Sequence, residues 1–216
     1  MRVLLAAAAL VGALVAFGLA RSWALPWQSG CTVTDPAGVV LAQGSPDEVG
    51  ALVGDALDGS GDPQVAQALA AGPAVACRIA PIQAGDVPKD LPLGLTPRAR
   101  EVRDEVRATF GDVPDGGFGP QDPLPGRRAG GEHSLGRAID FFHRPYDDPA
   151  QVRAGWQLAN WAVANAERLG IRTVIYSDRI WTAWRSAQGW RDYRFSGRDP
   201  DNPVNRHLDH VHVDVA

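Results

Sequence analysis

Lysine is nearly absent from this chain of 216 residues: Lys89 is the only lysine among 21 basic residues, so arginine carries almost all of the positive charge. Acidic residues number 25, and the net charge is -4. This net charge gives no case for binding to nucleic acid or to an anionic membrane surface. We therefore expect no nucleic-acid partner.

Long apolar runs are also rare, and the clearest one lies at the N-terminus. Residues 3–20 contain no polar side chain and follow Arg2. This pattern is typical of a secretory signal peptide or a membrane anchor, and a run of this length lies at the boundary between the two. We predict a protein outside the cytoplasm, either secreted or held at the cell membrane by residues 3–20, which would then be its membrane contact.

Cysteine occurs only twice, as Cys31 and Cys77. Their spacing does not match a zinc motif. An exported protein with two cysteines most simply forms one disulfide, so we expect a Cys31–Cys77 bond. In the chain-entropy model, closing a loop of this length stabilises the folded state by about 4 kcal/mol.

Composition divides the chain into four segments. Residues 1–30 are the apolar segment and a tether, and residues 31–80 form a small module of short strands and two helices in which we find no chemistry. Residues 81–95 are a proline-containing linker. Residues 96–216 begin with a helix N-cap followed by proline and form the main domain.

The main domain alternates helical and extended patterns. Helices are predicted over residues 97–110 and 150–169 from their apolar stripes. Strands are predicted at 139–142, at 172–176 and 179–181, and at the C-terminus, where valines alternate with polar residues as in a strand with one buried face. This mixture predicts an α+β protein.

Histidines are few and unevenly placed. Three of the five lie within six residues near the C-terminus, and His133 precedes Asp140 by seven residues. Histidine and carboxylate are the usual ligands of a catalytic zinc, and an unpaired carboxylate in the apolar run around Asp140 would be costly. Strand alternation places His210 and His212 on one face. We expect the two stretches to meet around one metal ion; the alternative is a hydrogen-bonded pair of His133 and Asp140 without metal.

Together, these motifs resemble those of a known superfamily. The combination of His133-x-x-Gly136-x-Ala138-x-Asp140 with His210-x-His212 resembles the LAS-type zinc peptidases, which include D-Ala-D-Ala carboxypeptidases and murein endopeptidases and share their fold with the hedgehog signalling domain. The resemblance covers residues 96–216. More narrowly, Leu95-Thr96-Pro97-Arg98-Ala99, residues 161–166 and residues 207–213 look like a family of exported actinobacterial proteins with a C-terminal domain of this type.

The resemblance implies a fold and a set of site residues. The fold is a small antiparallel sheet with flanking helices, here preceded by the small disulfide-linked α+β module and the N-terminal apolar helix. The implied zinc ligands are His133, Asp140 and His212. The implied catalytic residues are His210, Asp209 and His207. Either His210 or Asp209 is the base, with strand alternation favouring His210, and His207 is expected at the rim of the site.

The implied function is that of an exported, monomeric, zinc-dependent peptidase acting on peptidoglycan stem or cross-link peptides. One departure concerns an arginine that relatives carry on the strand before the histidine motif, where it can stabilise an oxyanion. Residues 112–126 contain no arginine, and Arg127 or Arg128 would have to replace it. The alternative is a catalytically inactive, zinc-containing module that binds the cell wall or a protein; a third possibility is a purely structural envelope protein.

Other residues give weaker signals. Trp156 and Trp161 lie on the apolar stripe of the second helix and are expected in the core. His143 is expected to be an ordinary loop residue. The remaining tryptophans of the domain fit either a binding cleft or core packing: Trp181, Trp184 and Trp190.

Overall fold

The computed structural model describes residues 29–86, 94–118 and 131–216. The predicted apolar segment 3–20 and the loop arginines Arg127 and Arg128 lie outside these ranges. The described chain is a mixed α+β protein with antiparallel sheets, as predicted. Its elements are β1 (Gly30–Thr34), β2 (Val40–Gly44), α1 (Pro46–Asp58), α2 (Pro63–Ala71), β3 (Val75–Arg78), α3 (Pro97–Phe110), β4 (Asp115–Gly116), β5 (Ala138–Phe142), α4 (Pro149–Ala164), α5 (Ala166–Leu169), β6 (Ile171–Tyr176), β7 (Arg179–Thr182), a 3-10 helix (Ala183–Gln188), β8 (Arg191–Asp192) and β9 (His210–Val215).

The smaller sheet has three antiparallel strands in the order β2-β1-β3. Cys31 of β1 and Cys77 of β3 are direct partners across the two strands, and they form the predicted disulfide. The helix that follows the hairpin begins as its sequence predicts. Ser45 caps α1 by accepting a hydrogen bond from the backbone N–H of Glu48, whose carboxylate accepts in return from the Ser45 N–H.

The larger sheet has six strands in the order β4-β5-β9-β6-β7-β8, and every neighbouring pair is antiparallel. β9 lies in its interior, between β5 and β6. The prediction that β9 has one buried face is wrong, because all six of its residues are buried. Its valines pack into the core, and its polar face is covered by side chains from β5 and from the turn that precedes β5.

The second helix of the main domain is shorter than predicted. α4 ends at Ala164, and α5 begins two residues later at Ala166. Between them Asn165 leaves helical geometry, and its side-chain amide donates to the carbonyl of Trp161, four residues back. Asparagine competes with the backbone for such bonds, which explains the break. As predicted, Trp156 and Trp161 are buried.

The segment 31–80 packs directly on the main domain, and both contribute to one buried apolar cluster. Asn160 of α4, fully buried, uses all four of its hydrogen bonds for this contact. Its Nδ2 donates to the carbonyls of Leu69 and Gly72, and its Oδ1 accepts from the N–H groups of Ala74 and Val75. The proposed boundaries at residues 80 and 95 remain predictions.

Two of the three remaining tryptophans join the same contact. Trp181 is fully buried and donates its indole N–H to the carbonyl of Cys77, and Trp190 donates to the carbonyl of Val75. Trp184 is exposed and stacks with Arg185. Among the described residues, no helix has the length and apolar content needed to cross a membrane.

Replacing Asn160 with alanine should lower the free energy of unfolding by about 3–5 kcal/mol, because several buried backbone groups lose their partner. Asn160→Leu fills the space but restores no hydrogen bond, so it should be comparably destabilising. Urea denaturation of both variants measures the change. Asn205, whose amide bonds loop carbonyls at the surface, provides the control, and Asn205→Ala should cost about 1 kcal/mol or less. A small loss for both Asn160 variants would contradict this role.

Candidate metal centre

Strand pairing brings two of the predicted ligands together. Asp140 of β5 and His212 of β9 are direct partners across the antiparallel pair, so their side chains leave the same face of the sheet. His133 reaches this face from the turn that precedes β5. Gly136 allows that turn, since its φ is +65° and its N–H donates to the carbonyl of His133.

The three side chains converge on one point. Nε2 of His133 lies 3.0 Å from Nδ1 of His212, and Oδ1 of Asp140 lies 3.1 Å from the same His212 nitrogen and 3.3 Å from Nε2 of His133. Ligand atoms about 2.0–2.1 Å from a tetrahedral zinc are separated from one another by about 3.3 Å. Two imidazoles and a carboxylate at these separations could hold a metal ion.

Asp140 is nearly enclosed, with 5% of its side chain exposed. Burial alone would raise the pKa of its carboxyl group. The hydrogen bonds from His133 and His212 outweigh burial and hold this pKa well below its usual value. Asp140 is therefore a buried anion, which requires a compensating cation.

His212 supplies that compensation in the metal-free protein. Burial lowers the pKa of its imidazole, but the carboxylates of Asp140 and Asp214 outweigh burial and raise the pKa to about 9. Oδ2 of Asp214 is 3.8 Å from Nε2 of His212, beyond hydrogen-bond distance, so it acts through its charge. A proton on His212 thus occupies the place where a metal ion would supply positive charge.

The structure places His210 beside this group, as strand alternation predicts. Its Nε2 lies 3.7 Å from Oδ1 of Asp140, and its Nδ1 lies 2.7 Å from Oδ1 of Asp209. Asp209 precedes β9, and its second oxygen accepts from the guanidinium of Arg144. The two candidate bases are therefore joined to each other, with His210 nearer to the metal ligands.

His207 lies next to His210 and His212, with its ring centre 4.7 Å and 5.7 Å from theirs. Burial lowers the pKa of His207 to about 2, so this ring is neutral. On its far side the ring packs edge-on against Tyr193. Tyr193 and Arg206 also line a cavity of about 580 Å³, whose charged walls contain three aspartates and three arginines.

Gly117, just after β4, lies close to the side chains of Asp140 and His133. A side-chain carbon at this position would lie 2.7 Å from Oδ2 of Asp140 and 3.1 Å from Nδ1 of His133, so only glycine fits here. Its φ of +78° also favours glycine. From the sequence, residues 112–126 were notable only for the arginine they lack, so this contact was missed.

Two further residues were missed. His143 lies in a loop as expected, but it is buried against Tyr176, and burial lowers its pKa to about 4. Arg144 reaches Asp209 from the segment that follows β5. The only sequence signal for Arg144 is its position two residues after the strand that carries Asp140.

Comparison with known families adds one finding. Residues 92–204, just over half of the chain, match the family described as "VldE, C-terminal domain", and the chain belongs to that family. The matched range contains His133 and Asp140 and ends before His207, Asp209, His210 and His212. Comparisons with curated proteins and with solved structures found no match.

Gly117→Ala should weaken metal binding strongly, because the added methyl group displaces Asp140 and His133. Gly111 is a matched control: its φ is +80°, and nothing lies within 4 Å of an added side-chain carbon. Gly111→Ala therefore places an alanine at a similar positive φ without the clash. Zinc affinity, measured by competition with a chelator, should fall at least about tenfold for Gly117→Ala only. Equal affinities in the two variants would contradict this role.

Metal affinity should rise with pH. The His212 imidazole must lose its proton to bind a metal through Nδ1, and its pKa in the metal-free protein is raised to about 9. Below that pH each binding event releases a proton, so affinity should increase by about tenfold per pH unit from pH 7 to pH 9 and then level off. Calorimetry in buffers of different ionisation enthalpy measures the proton released. Affinity independent of pH in this range would contradict the assignment of His212.

Proposed function

We propose that this protein is an exported zinc-dependent peptidase of the LAS type that cleaves peptidoglycan stem or cross-link peptides. The observation that carries the proposal is the convergence of His133, Asp140 and His212 with His210 alongside. The antiparallel sheet that builds this group agrees with the hedgehog/DD-peptidase-like fold that the sequence motifs imply.

The donor set supports zinc as the metal. Zinc prefers imidazole nitrogen and carboxylate oxygen, and catalytic zinc sites have three protein ligands and one open position. His133, Asp140 and His212 supply three ligands of these types. A bound zinc ion supplies Lewis-acid chemistry, polarising a carbonyl group and making water more acidic.

Residues of the chain would then transfer the proton and contact the substrate. His210, with Nε2 directed at the ligand group, is placed to take a proton from the attacking water and return it to the leaving amine. The neutral ring of His207 contacts both His210 and Tyr193 and forms one side of the site. Tyr193, which contacts His207, also lines the cavity together with Arg206. The aspartates and arginines of this cavity suit a polar peptide that carries both carboxylate and amino groups.

The proposed location has two supports. The apolar segment 3–20 is typical of a signal peptide or a membrane anchor. The disulfide between Cys31 and Cys77 is of a kind that persists mainly outside the cytoplasm. Peptidoglycan is a substrate that such a protein would meet there.

A second function is favoured by one specific observation. Residues 112–126 contain no arginine at the place where the peptidases carry one to stabilise the oxyanion. A zinc-containing module that binds the cell wall or a protein without cleaving it would retain the ligand group and need no such arginine.

Metal analysis and peptidoglycan digestion distinguish these functions. The purified protein should contain one zinc ion and release peptides from sacculi, detected by mass spectrometry. His212→Ala should lose the zinc, whereas His210→Ala should keep it and lose about 10²- to 10⁴-fold in rate. Asp104→Asn, at an exposed carboxylate on α3, is the control and should match the wild type.

Two outcomes would count against a peptidase. Zinc binding and sacculus binding without cleavage, unchanged by His210→Ala, would favour the binding module. A correctly folded protein that takes up no zinc would overturn both functions.

A further inference from the structure

We infer that Arg144 and Asp209 are positioning residues that fix His210 with its ring proton on Nδ1, so that Nε2 presents its lone pair to the metal centre. This inference rests on the proposed function and deepens it. It also assigns different roles to the two candidate bases that the sequence left open: His210 handles the proton, and Asp209 orients His210.

The first step is the hydrogen bond between Asp209 and His210. Nδ1 of His210 lies 2.7 Å from Oδ1 of Asp209, and both side chains are buried. A carboxylate can only accept hydrogen bonds. The shared proton therefore belongs to Nδ1 of His210, which leaves Nε2 as the acceptor in the neutral ring.

The second step is the contact between Asp209 and Arg144. Nε and Nη2 of Arg144 lie 2.8 Å and 2.7 Å from Oδ2 of Asp209, a two-point contact with one oxygen. Together with His210, the guanidinium group favours the ionised form of Asp209, and its two-point contact fixes the carboxylate's orientation. Because Oδ1 bonds His210 and Oδ2 bonds Arg144, neither oxygen of Asp209 is directed at the metal ligands.

The third step is the anchoring of this pair to β5. The guanidinium of Arg144 stacks on the ring of Phe142 at 4.2 Å, and the backbone N–H of His143 donates to the carbonyl of Asp209. Asp209 is thus held through both its backbone and its side chain by the segment that continues β5. β5 also carries Asp140, so the orienting pair and a metal ligand share one rigid support.

Nitrogen-15 NMR of the imidazole rings tests the proton's position in the zinc-loaded protein. The chain has only five histidines, and His210→Gln identifies the His210 signals. The wild type should show a protonated Nδ1 and an unprotonated Nε2 for His210. A proton on Nε2 in the wild type would overturn the inference.

Asp209→Asn should reverse this tautomer. Arg144 donates and so requires the amide oxygen of the new side chain, which turns the NH₂ group towards His210. Nδ1 must then accept, and the proton moves to Nε2. The rate of peptide release should fall by about 10²-fold or more, with zinc content and KM nearly unchanged. An unchanged tautomer and rate would overturn the inference.

Arg144 is tested by a graded pair of variants. Arg144→Gln should reduce the population of the Nδ1-protonated ring and the rate, and Arg144→Lys should restore part of both, because a lysine ammonium keeps the charge but not the two-point contact. Arg168, which forms a two-point contact with Glu105 far from the site, supplies the matched control Arg168→Gln. Equal behaviour of Arg144→Gln and Arg168→Gln would contradict a positioning role.

The proposed function and this inference fail in different ways. If the zinc-loaded wild type cleaves no peptide, the peptidase function fails, yet the imidazole spectra still decide whether Asp209 fixes the ring. If peptides are released but His210 carries its proton on Nε2, the function stands and the inference fails. Thermal unfolding confirms that each variant is folded before its spectrum is interpreted.

Discussion

The buried charge of Asp140 is the constraint on which the site depends. A carboxylate enclosed in the sheet is stable only beside positive charge or strong donors. The structure meets this need with His133 and His212, whose ring nitrogens lie within 3.3 Å of its Oδ1. The same arrangement suits a metal ion, which can replace the proton that His212 holds. The arrangement of His133 and His212 that stabilises the buried carboxylate is therefore the same arrangement that could bind a metal ion.

Other residues contact the group formed by Asp140, His133 and His212 or lie near it. β4 brings a glycine against Asp140 and His133, and Asp214 adds a second negative charge behind His212. Arg144 and Asp209 form a separate, oppositely charged pair at the end of the same strands. The charges of Arg144 and Asp209 thus offset each other, and His133 and His212 offset the charge of Asp140. Removing His212 or Arg144 would leave a buried carboxylate, that of Asp140 or Asp209, without a partner, which is costly.

Much of this was predictable from the sequence, for identifiable reasons. Strand alternation alone places His210 and His212 on one face, and the apolar run around Asp140 indicates a carboxylate that needs a partner. Cys31 and Cys77 were the only possible pair. The helix start at Thr96 followed from capping chemistry, which depends on neighbouring residues only.

What the sequence could not provide depends on contacts between distant segments. Gly117 matters because β4 lies beside β5, and Arg144 matters because the end of β5 meets the start of β9. Asn165 breaks the long helix through a side-chain bond that competes with helical hydrogen bonding, and periodicity gives no sign of it. The buried polar face of β9 was misjudged because alternation shows which residues share a face but not what covers that face.

The position of β9 has a consequence for how the molecule assembles. β9 pairs with β5 and β6, yet it follows in sequence every other strand of its sheet. Without β9, the pair β4–β5 and the group β6–β7–β8 share no strand pairing, so the larger sheet would be two separate pieces. His212 lies beside Asp140 only when β9 is paired with β5. The candidate ligand group is therefore complete only when β9 joins the two parts of the sheet, so metal binding would report that this strand is in place.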